Sequence, residues 1–160
     1  MSKKVSIPLE LKLDYLERAY RSLFKGVLYA IREKYGAAEA IDIFERLWKM
    51  DDRVKNLTNI LIKIFKLERN DAETMAKWYE IWHELNGFEY TWLERSKTIA
   101  RYKVTQCPFK PAYKDLSDFC LIYANIVNKT INQKATVERL KGMCAGDSYC
   151  EFIHRVEECG

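Results

Sequence analysis

Four cysteines crowd the second half of this 160-residue chain: Cys107, Cys120, Cys144 and Cys150, with a fifth, Cys159, beside the C-terminus. Thiolates are nucleophiles and soft metal ligands, so a group of them is the first chemistry to consider. Zn²⁺ takes tetrahedral sulfur and nitrogen donors and also accepts a carboxylate, which brings Glu138 into the candidate set. Four thiolates equally suit an iron–sulfur cluster. The five-residue gap between Cys144 and Cys150 is wider than the two-residue gap of common zinc knuckles. Packing is the competing reading, because free cysteine is among the most buried residue types. Cys159 is read as incidental.

Two histidines, His83 and His154, are the remaining candidates for acid–base work, since imidazole titrates near neutrality. His83 falls one position off its helix's apolar stripe, which predicts a solvated or capping role. His154 reads as a hydrogen-bonded core histidine, with Cys107 and His154 the weak catalytic candidates. No P-loop, dinucleotide-binding glycine pattern, Ser-His-Asp order or zincin helix is present.

The elements that must position these groups begin as helix. Leu16, Tyr20, Leu23, Phe24, Val27, Leu28 and Ile31 recur at steps of three and four, between a Pro8 start and a Gly36 stop. A second helix is expected over about Ala37–Met50 with Ile41, Phe44, Leu47 and Trp48 inward. A third runs over about Asp52–Leu67 through Val54, Leu57, Leu61, Ile64 and Phe65. Asn70 with Glu73 predicts a capping box for a fourth, which Asn86-Gly87 ends. Its aromatic face, Met75, Trp78, Tyr79, Trp82 and Leu85, joins the alternating Phe88, Tyr90 and Trp92 of a following strand. Met75, Trp78, Trp82, Phe88, Tyr90 and Trp92 are therefore the candidate ligand pocket, with plain core as the competing reading. A second strand stops at Cys107-Pro108. A helix from near Asp115 to Asn128 buries Leu116, Phe119, Tyr123 and Val127, and two strands, about Lys134–Met143 and Tyr149–Val156, close the chain. The fold class is α+β: helices, then a four-stranded antiparallel sheet with one helix between two hairpins. The reading gives a single domain, with a helical part to residue 86 and a sheet part from 87.

A terminal hairpin centred on Asp147 would set Cys144 opposite Cys150, Leu140 opposite His154 and Glu138 opposite Val156. Side chains alternate along a strand, so Cys144, Cys150, Leu140, Glu138, Phe152 and His154 would share the buried face. Cys120 lies on the helix that must cover it, and Cys107 where the second strand stops.

Cys107-Pro108, the helix cysteine Cys120, Val137-Glu138-Arg139-Leu140 and Gly146-Asp147-Ser148-Tyr149-Cys150-Glu151-Phe152 together resemble the L-2-amino-thiazoline-4-carboxylic acid hydrolase family. The resemblance covers about residues 75–156. That family is similar to vinyl-reductase-type small-molecule-binding domains, whose relatives include TRAPP trafficking subunits and haem nitric-oxide sensors. Some sensor members hold zinc through cysteines of the matching helix and hairpin, which implies Cys120, Cys144 and Cys150 as ligands. Cys144 stands two positions nearer the final cysteine than that pattern places it. The resemblance further implies a small-molecule ligand in the aromatic pocket, or hydrolysis of a thiazoline-like ring by a metal-bound water or a thiolate. From the trafficking relatives it implies a homodimer through the N-terminal helices.

Composition bounds these readings. Hydrophobic residues make up 48% and charged residues 31%, a globular balance, and aromatics reach 13%. The net charge of +4 sits wholly in residues 1–35, with eight Lys/Arg against four Asp/Glu. That is too diffuse for a nucleic-acid surface. The longest apolar run, Phe119–Val127, is far short of the roughly 18 residues a membrane helix needs. Met1-Ser2-Lys3-Lys4 leads into an amphipathic segment without a cleavage site. Five cysteines without an export signal predict free thiols in a soluble, cytoplasmic protein. A small-molecule-binding domain with a cysteine-held, zinc-like metal is the leading expectation, with the hydrolase and the iron–sulfur protein as alternatives.

Overall fold

The computed structural model describes residues 8–68, 71–110, 116 and 118–157. Four helices come first, α1 (Leu9–Tyr35), α2 (Ala37–Lys49), α3 (Arg53–Ile64) and α4 (Ala72–Asn86). A hairpin of β1 (Glu89–Arg95) and β2 (Ile99–Gln106) precedes α5 (Phe119–Ile131), and β3 (Thr136–Lys141) with β4 (Cys150–Arg155) completes the chain. The strands form one antiparallel sheet in the order β1-β2-β4-β3, the α+β arrangement expected.

Local signals explain most of the boundaries. Pro8, with φ −54°, precedes the first turn of α1, and Gly36 at φ 87° stops it. Gly87 ends α4 in the left-handed region at φ 67°. The cap at the other end of α4 is Asp71, whose carboxylate accepts the Thr74 N–H at 2.8 Å. The capping box expected at Asn70 lies outside the described residues, as do the Asp115 helix start and Cys159.

Two helix faces differ from expectation. In α3 the buried stripe is Val54, Thr58 and Ile62, while Leu57, Ile64 and Phe65 are exposed. Thr58 can be buried because its hydroxyl donates to the Val54 carbonyl at 2.8 Å. In α1 Leu28 is buried with Phe24 and Ile31 beside it, but Leu16, Tyr20, Leu23 and Val27 face outward. In α4, Leu85 is 58% exposed and His83 only 2%, reversing their expected roles.

The terminal hairpin carries the largest correction. Met143–Ala145 form a 3-10 turn, Gly146 turns at φ 109°, and the Asp147 carboxylate accepts the Gly142 N–H at 2.7 Å. This longer connection pairs Val137 with His154, Glu138 with Ile153 and Arg139 with Phe152. The register thus slips by three from the tight-turn reading, and an odd slip reverses every side chain of β3. Leu140 and Glu138 face solvent, and Glu138 pairs with Arg155 at 3.2 Å. Cys144 leaves the ladder altogether.

The core has two parts. One lies between the sheet's inner face and the helices α4 and α5, around Trp78, Tyr79, Tyr102, Val127 and Phe152. The other holds Leu28, Phe44, Phe109, Leu116 and Phe119. Cys107 and Cys120 pack against both, and the candidate site opens at this junction.

Candidate functional site

The inner face of the sheet supplies the floor. Ladder pairing sets Tyr90, Val104 and Cys150 in one row and Trp92, Tyr102 and Phe152 in the next. Above them α4 projects Tyr79, Trp82 and His83, α5 projects Cys120, Tyr123 and Ala124, and Trp48 reaches in from α2. These groups enclose a cavity of ≈ 600 Å³ of empty space, part of it open to solvent. Its walls are overwhelmingly apolar and aromatic, as in small-molecule sites.

Of the six expected pocket residues, the structure brings Trp82 and Phe88 to the cavity. Met75 and Trp78 lie behind it, 0% and 1% exposed, as pure core. Tyr90 and Trp92 sit at the sheet edge, where the Tyr90 hydroxyl donates to Glu84 at 3.4 Å and the Trp92 indole to Glu80 at 3.2 Å. The reason is the right phase but the wrong edge: β1 is the outermost strand, so β2 and β4 floor the cavity.

Polar groups are few and specific. His83 lines the cavity, and its buried Nδ1 has no hydrogen-bond partner among the described residues. The other orphan, Trp78 Nε1, lies instead among the rings of Tyr79 and Trp82. Tyr102, whose ring stands 4.9 Å from that of His83, is held from below by a buried network. Asn128 donates from Nδ2 to the Thr136 carbonyl at 3.1 Å and contacts His154 Nδ1 at 2.9 Å. Tyr79 donates to Asn128 Oδ1 at 3.2 Å, and His154 Nε2 meets the Tyr102 hydroxyl at 3.4 Å.

Counting protons settles the directions. The Thr136 carbonyl fixes which end of the Asn128 amide carries hydrogens. If its second hydrogen goes to His154 Nδ1, then Nε2 carries the imidazole proton and donates to Tyr102. The opposite tautomer, donating from Nδ1 to Oδ1 at 3.1 Å, would strand an amide hydrogen on a residue with 0% exposure. The first assignment leaves Tyr102 with its own hydroxyl proton free, on the cavity wall beside the unpartnered His83.

Burial lowers both imidazoles to about 3, so they are neutral near physiological pH and poor bases. His154 is therefore the structural histidine expected, while His83 is a cavity group that the stripe rule misplaced. A bulky aromatic neighbourhood, Trp82 before it and Phe88 beyond the helix end, was the available signal.

The four cysteines converge, and each is free. Cys107, Cys120 and Cys150 line the cavity, and Cys144 packs against the second core cluster. Their charges would repel one another, but desolvation is the main reason all four thiols are pushed up, Cys107 to about 12. Cys150 accepts the Met143 N–H at 3.2 Å, and Arg139 lies near enough to pull Cys120, Cys144 and Cys150 down against that rise. Zinc needs donors at about 2.3 Å from one point. Among the described residues no three His, Cys, Asp or Glu side chains are arranged to hold an ion, and Glu138 lies on the opposite face of the sheet. As arranged, the described thiols form no group of three around a single ion.

Residues 48–155 match the family model described as methanogen output domain 1. The chain belongs to that family. Nothing in that match supports the hydrolase family suggested by the cysteine pattern. No protein of curated function matches the chain. The chain is similar in structure to the phenol-responsive sensory domain of the transcription activator PoxR with phenol. That likeness has a TM-score of 0.58 at 11% identity, over 84% of this chain and 73% of that one. It is also similar to trafficking protein particle complex subunit 3 from Naegleria fowleri covalently bound to palmitic acid. Here the TM-score is 0.59 at 15% identity, over 93% of this chain and 97% of that one. At these identities the two likenesses establish the fold that the chain shares with them. Among the described residues no helix is long and apolar enough to cross a membrane.

Proposed function

We propose that this chain binds a small aromatic molecule carrying one hydroxyl group. The carrying observation is a pair of polar points on the largely aromatic wall of the cavity, apart from its thiols and the Tyr123 hydroxyl: the free Tyr102 proton and the unpartnered His83 Nδ1. A hydroxyl accepts from the first and donates to the second, and the rings of Trp82, Phe88 and Phe119 stack around its apolar body. The phenol held by a sensory domain of the same fold supports this class.

Titration calorimetry with phenol and benzene tests the proposal. Phenol is expected to bind more tightly, with Tyr102→Phe and His83→Phe each lowering its affinity about 3- to 10-fold and leaving benzene unchanged. Equal binding of the two compounds, or none, would discard the polar pair as the recognition element. Hydrolysis of a thiazoline-like ring is less well supported. Its thiolate route requires an ionised thiol or an imidazole base near neutrality, and burial drives both kinds of group the other way.

A second reading keeps the cysteines as zinc or iron–sulfur ligands after side-chain reorientation. It is favoured by one observation: the four thiols stand close enough for each to feel the others' charge. Elemental analysis and a visible spectrum after anaerobic purification separate the two. Stoichiometric colourless zinc or a brown chromophore, lost in Cys150→Ser, would make the cluster a metal site. Metal-free protein leaves it as the soft wall of the cavity. Free thiols of this kind suit a reducing compartment, and cytoplasmic placement belongs to the same proposal.

A further inference from the structure

Phe119, Cys120, Tyr123 and Ala124 stand at helical spacing on α5 and turn one face to the cavity. The Tyr123 ring packs 5.5 Å from Trp82 of α4 and 5.3 Å from Trp48 of α2. Its hydroxyl accepts the Trp82 indole N–H. A phenol oxygen that accepts through a lone pair still carries one proton of its own. Among the described residues no group accepts that proton, and burial pushes the Tyr123 hydroxyl up, so the proton stays on near neutral pH. The Tyr79 hydroxyl on the same wall is already committed, to Asn128 and the Ala124 carbonyl. Trp82 also touches His83 at 5.6 Å, whereas no ring contact joins Tyr123 to His83 or Tyr102 among the described residues. The cavity thus carries a second donor that stands apart from the first polar pair, with the Trp82 indole in contact with both.

We infer, building on the Tyr102–His83 pair proposed above, that the ligand is a phenol with a neutral oxygen acceptor on its far side, and that Tyr123 selects it. A carbonyl oxygen accepts the Tyr123 proton, while the ring between the two oxygens lies against Trp82. Neutrality follows from the lining: among the described residues no Lys, Arg, Asp or Glu side chain lines the cavity. A carboxylate entering there would give up its water without gaining a cation. The three thiols of the wall are weak donors and burial keeps them protonated, so they accommodate the apolar remainder of the ligand rather than compete for its oxygens.

Titration calorimetry on the whole chain with 4-hydroxyacetophenone and 4-isopropylphenol, close in shape but differing by one carbonyl, reads the second donor. In Tyr123→Phe the affinity for the ketone relative to its hydrocarbon counterpart is expected to fall about 3- to 10-fold. Taking the ratio cancels any change of packing that the substitution imposes on both ligands. With the unaltered protein, 4-hydroxybenzoate should bind at least about 10-fold more weakly than the ketone, because its carboxylate stays ionised. An unchanged ratio in Tyr123→Phe overturns the role of Tyr123 and passes the carbonyl to another donor, such as the Trp48 indole on the same wall. Benzoate bound as tightly as the ketone overturns the neutral acceptor. Failure of the ketone to bind where phenol does overturns the second donor alone. Phenol bound no better than benzene overturns the polar pair beneath it, and this inference with it.

Discussion

Lowering the pH from 7.5 to 5 is expected to remove roughly 4 kcal/mol of folding stability through two side chains, His83 and His154. Burial holds both folded-state values at about 3, whereas an imidazole in the unfolded chain titrates near 6.5. Between those values the unfolded chain binds protons that the folded one refuses. The stability contributed by the neutral imidazoles is thus complete above about pH 6.5 and declines as pH falls toward 3. Each pH unit below the unfolded value costs up to about 1.4 kcal/mol per histidine, so pH 5 costs about 2 kcal/mol each. Tyr79 and Tyr102 flank both rings, Trp82, Tyr90 and Phe88 also pack against His83, and Asn128 faces His154; none of these supplies a negative charge to keep a proton in place. Thermal unfolding at pH 7.5 and pH 5 should show a midpoint lower by about 10 °C at the acid end for a chain of this size. His83→Phe should remove about half of that dependence. A midpoint unchanged between the two pH values would contradict the assignment of both imidazoles as buried and neutral.

The same two residues mark the limits of reading this chain as a sequence. Periodicity changes at Phe88, and that change alone divides helices from sheet. The α+β class, the helix between two hairpins and the stops at Gly36 and Gly87 all follow from local backbone chemistry. The inward face of β4 was also legible, because Cys150, Phe152 and His154 alternate on a strand whose partners do not alter its own pleat. What failed was anything set by a distant partner. A three-residue slip caused by the Met143–Ala145 turn turned Glu138 and Leu140 outward while leaving β4 as expected. His83 was misassigned because the apolar stripe of α4 is widened by Tyr102 and Phe88, which press on it from elsewhere in the chain. The cavity was half legible for a related reason. The aromatic residues of α4 and β1 were conspicuous, but β4 inserts between β2 and β3, and that order is not written in local periodicity. Cys107, Cys120 and Cys150 did meet around one space; sequence spacing could bring them together without fixing how their thiols point.

Replacing Asn128 by leucine is expected to cost about 3 kcal/mol or more, because it strips partners from several buried groups at once. Asn128 is fully buried, yet it donates to the Thr136 carbonyl and to His154 Nδ1 and accepts from the Tyr79 hydroxyl. Tyr79 keeps a second acceptor, the Ala124 carbonyl at 3.3 Å, so the main losses fall on Thr136 and His154. The carbonyl would be left without its amide donor between α5 and β3, and the imidazole without its fixed tautomer. A drop of about 6–12 °C in the unfolding midpoint measures the first effect. The second has a separate readout, the ¹⁵N shifts of the His154 ring. In the unaltered protein Nδ1 should appear unprotonated and Nε2 protonated; once Asn128 is leucine, nothing holds that preference. Tyr102 then receives a proton from His154 only part of the time, and at other times donates its own to the imidazole rather than to the cavity. Phenol affinity should fall toward that of Tyr102→Phe while benzene binding holds, which ties the buried network to recognition. A wild-type His154 protonated at Nδ1 would reverse the chain of donors and remove Tyr102 as the ligand's hydrogen-bond donor.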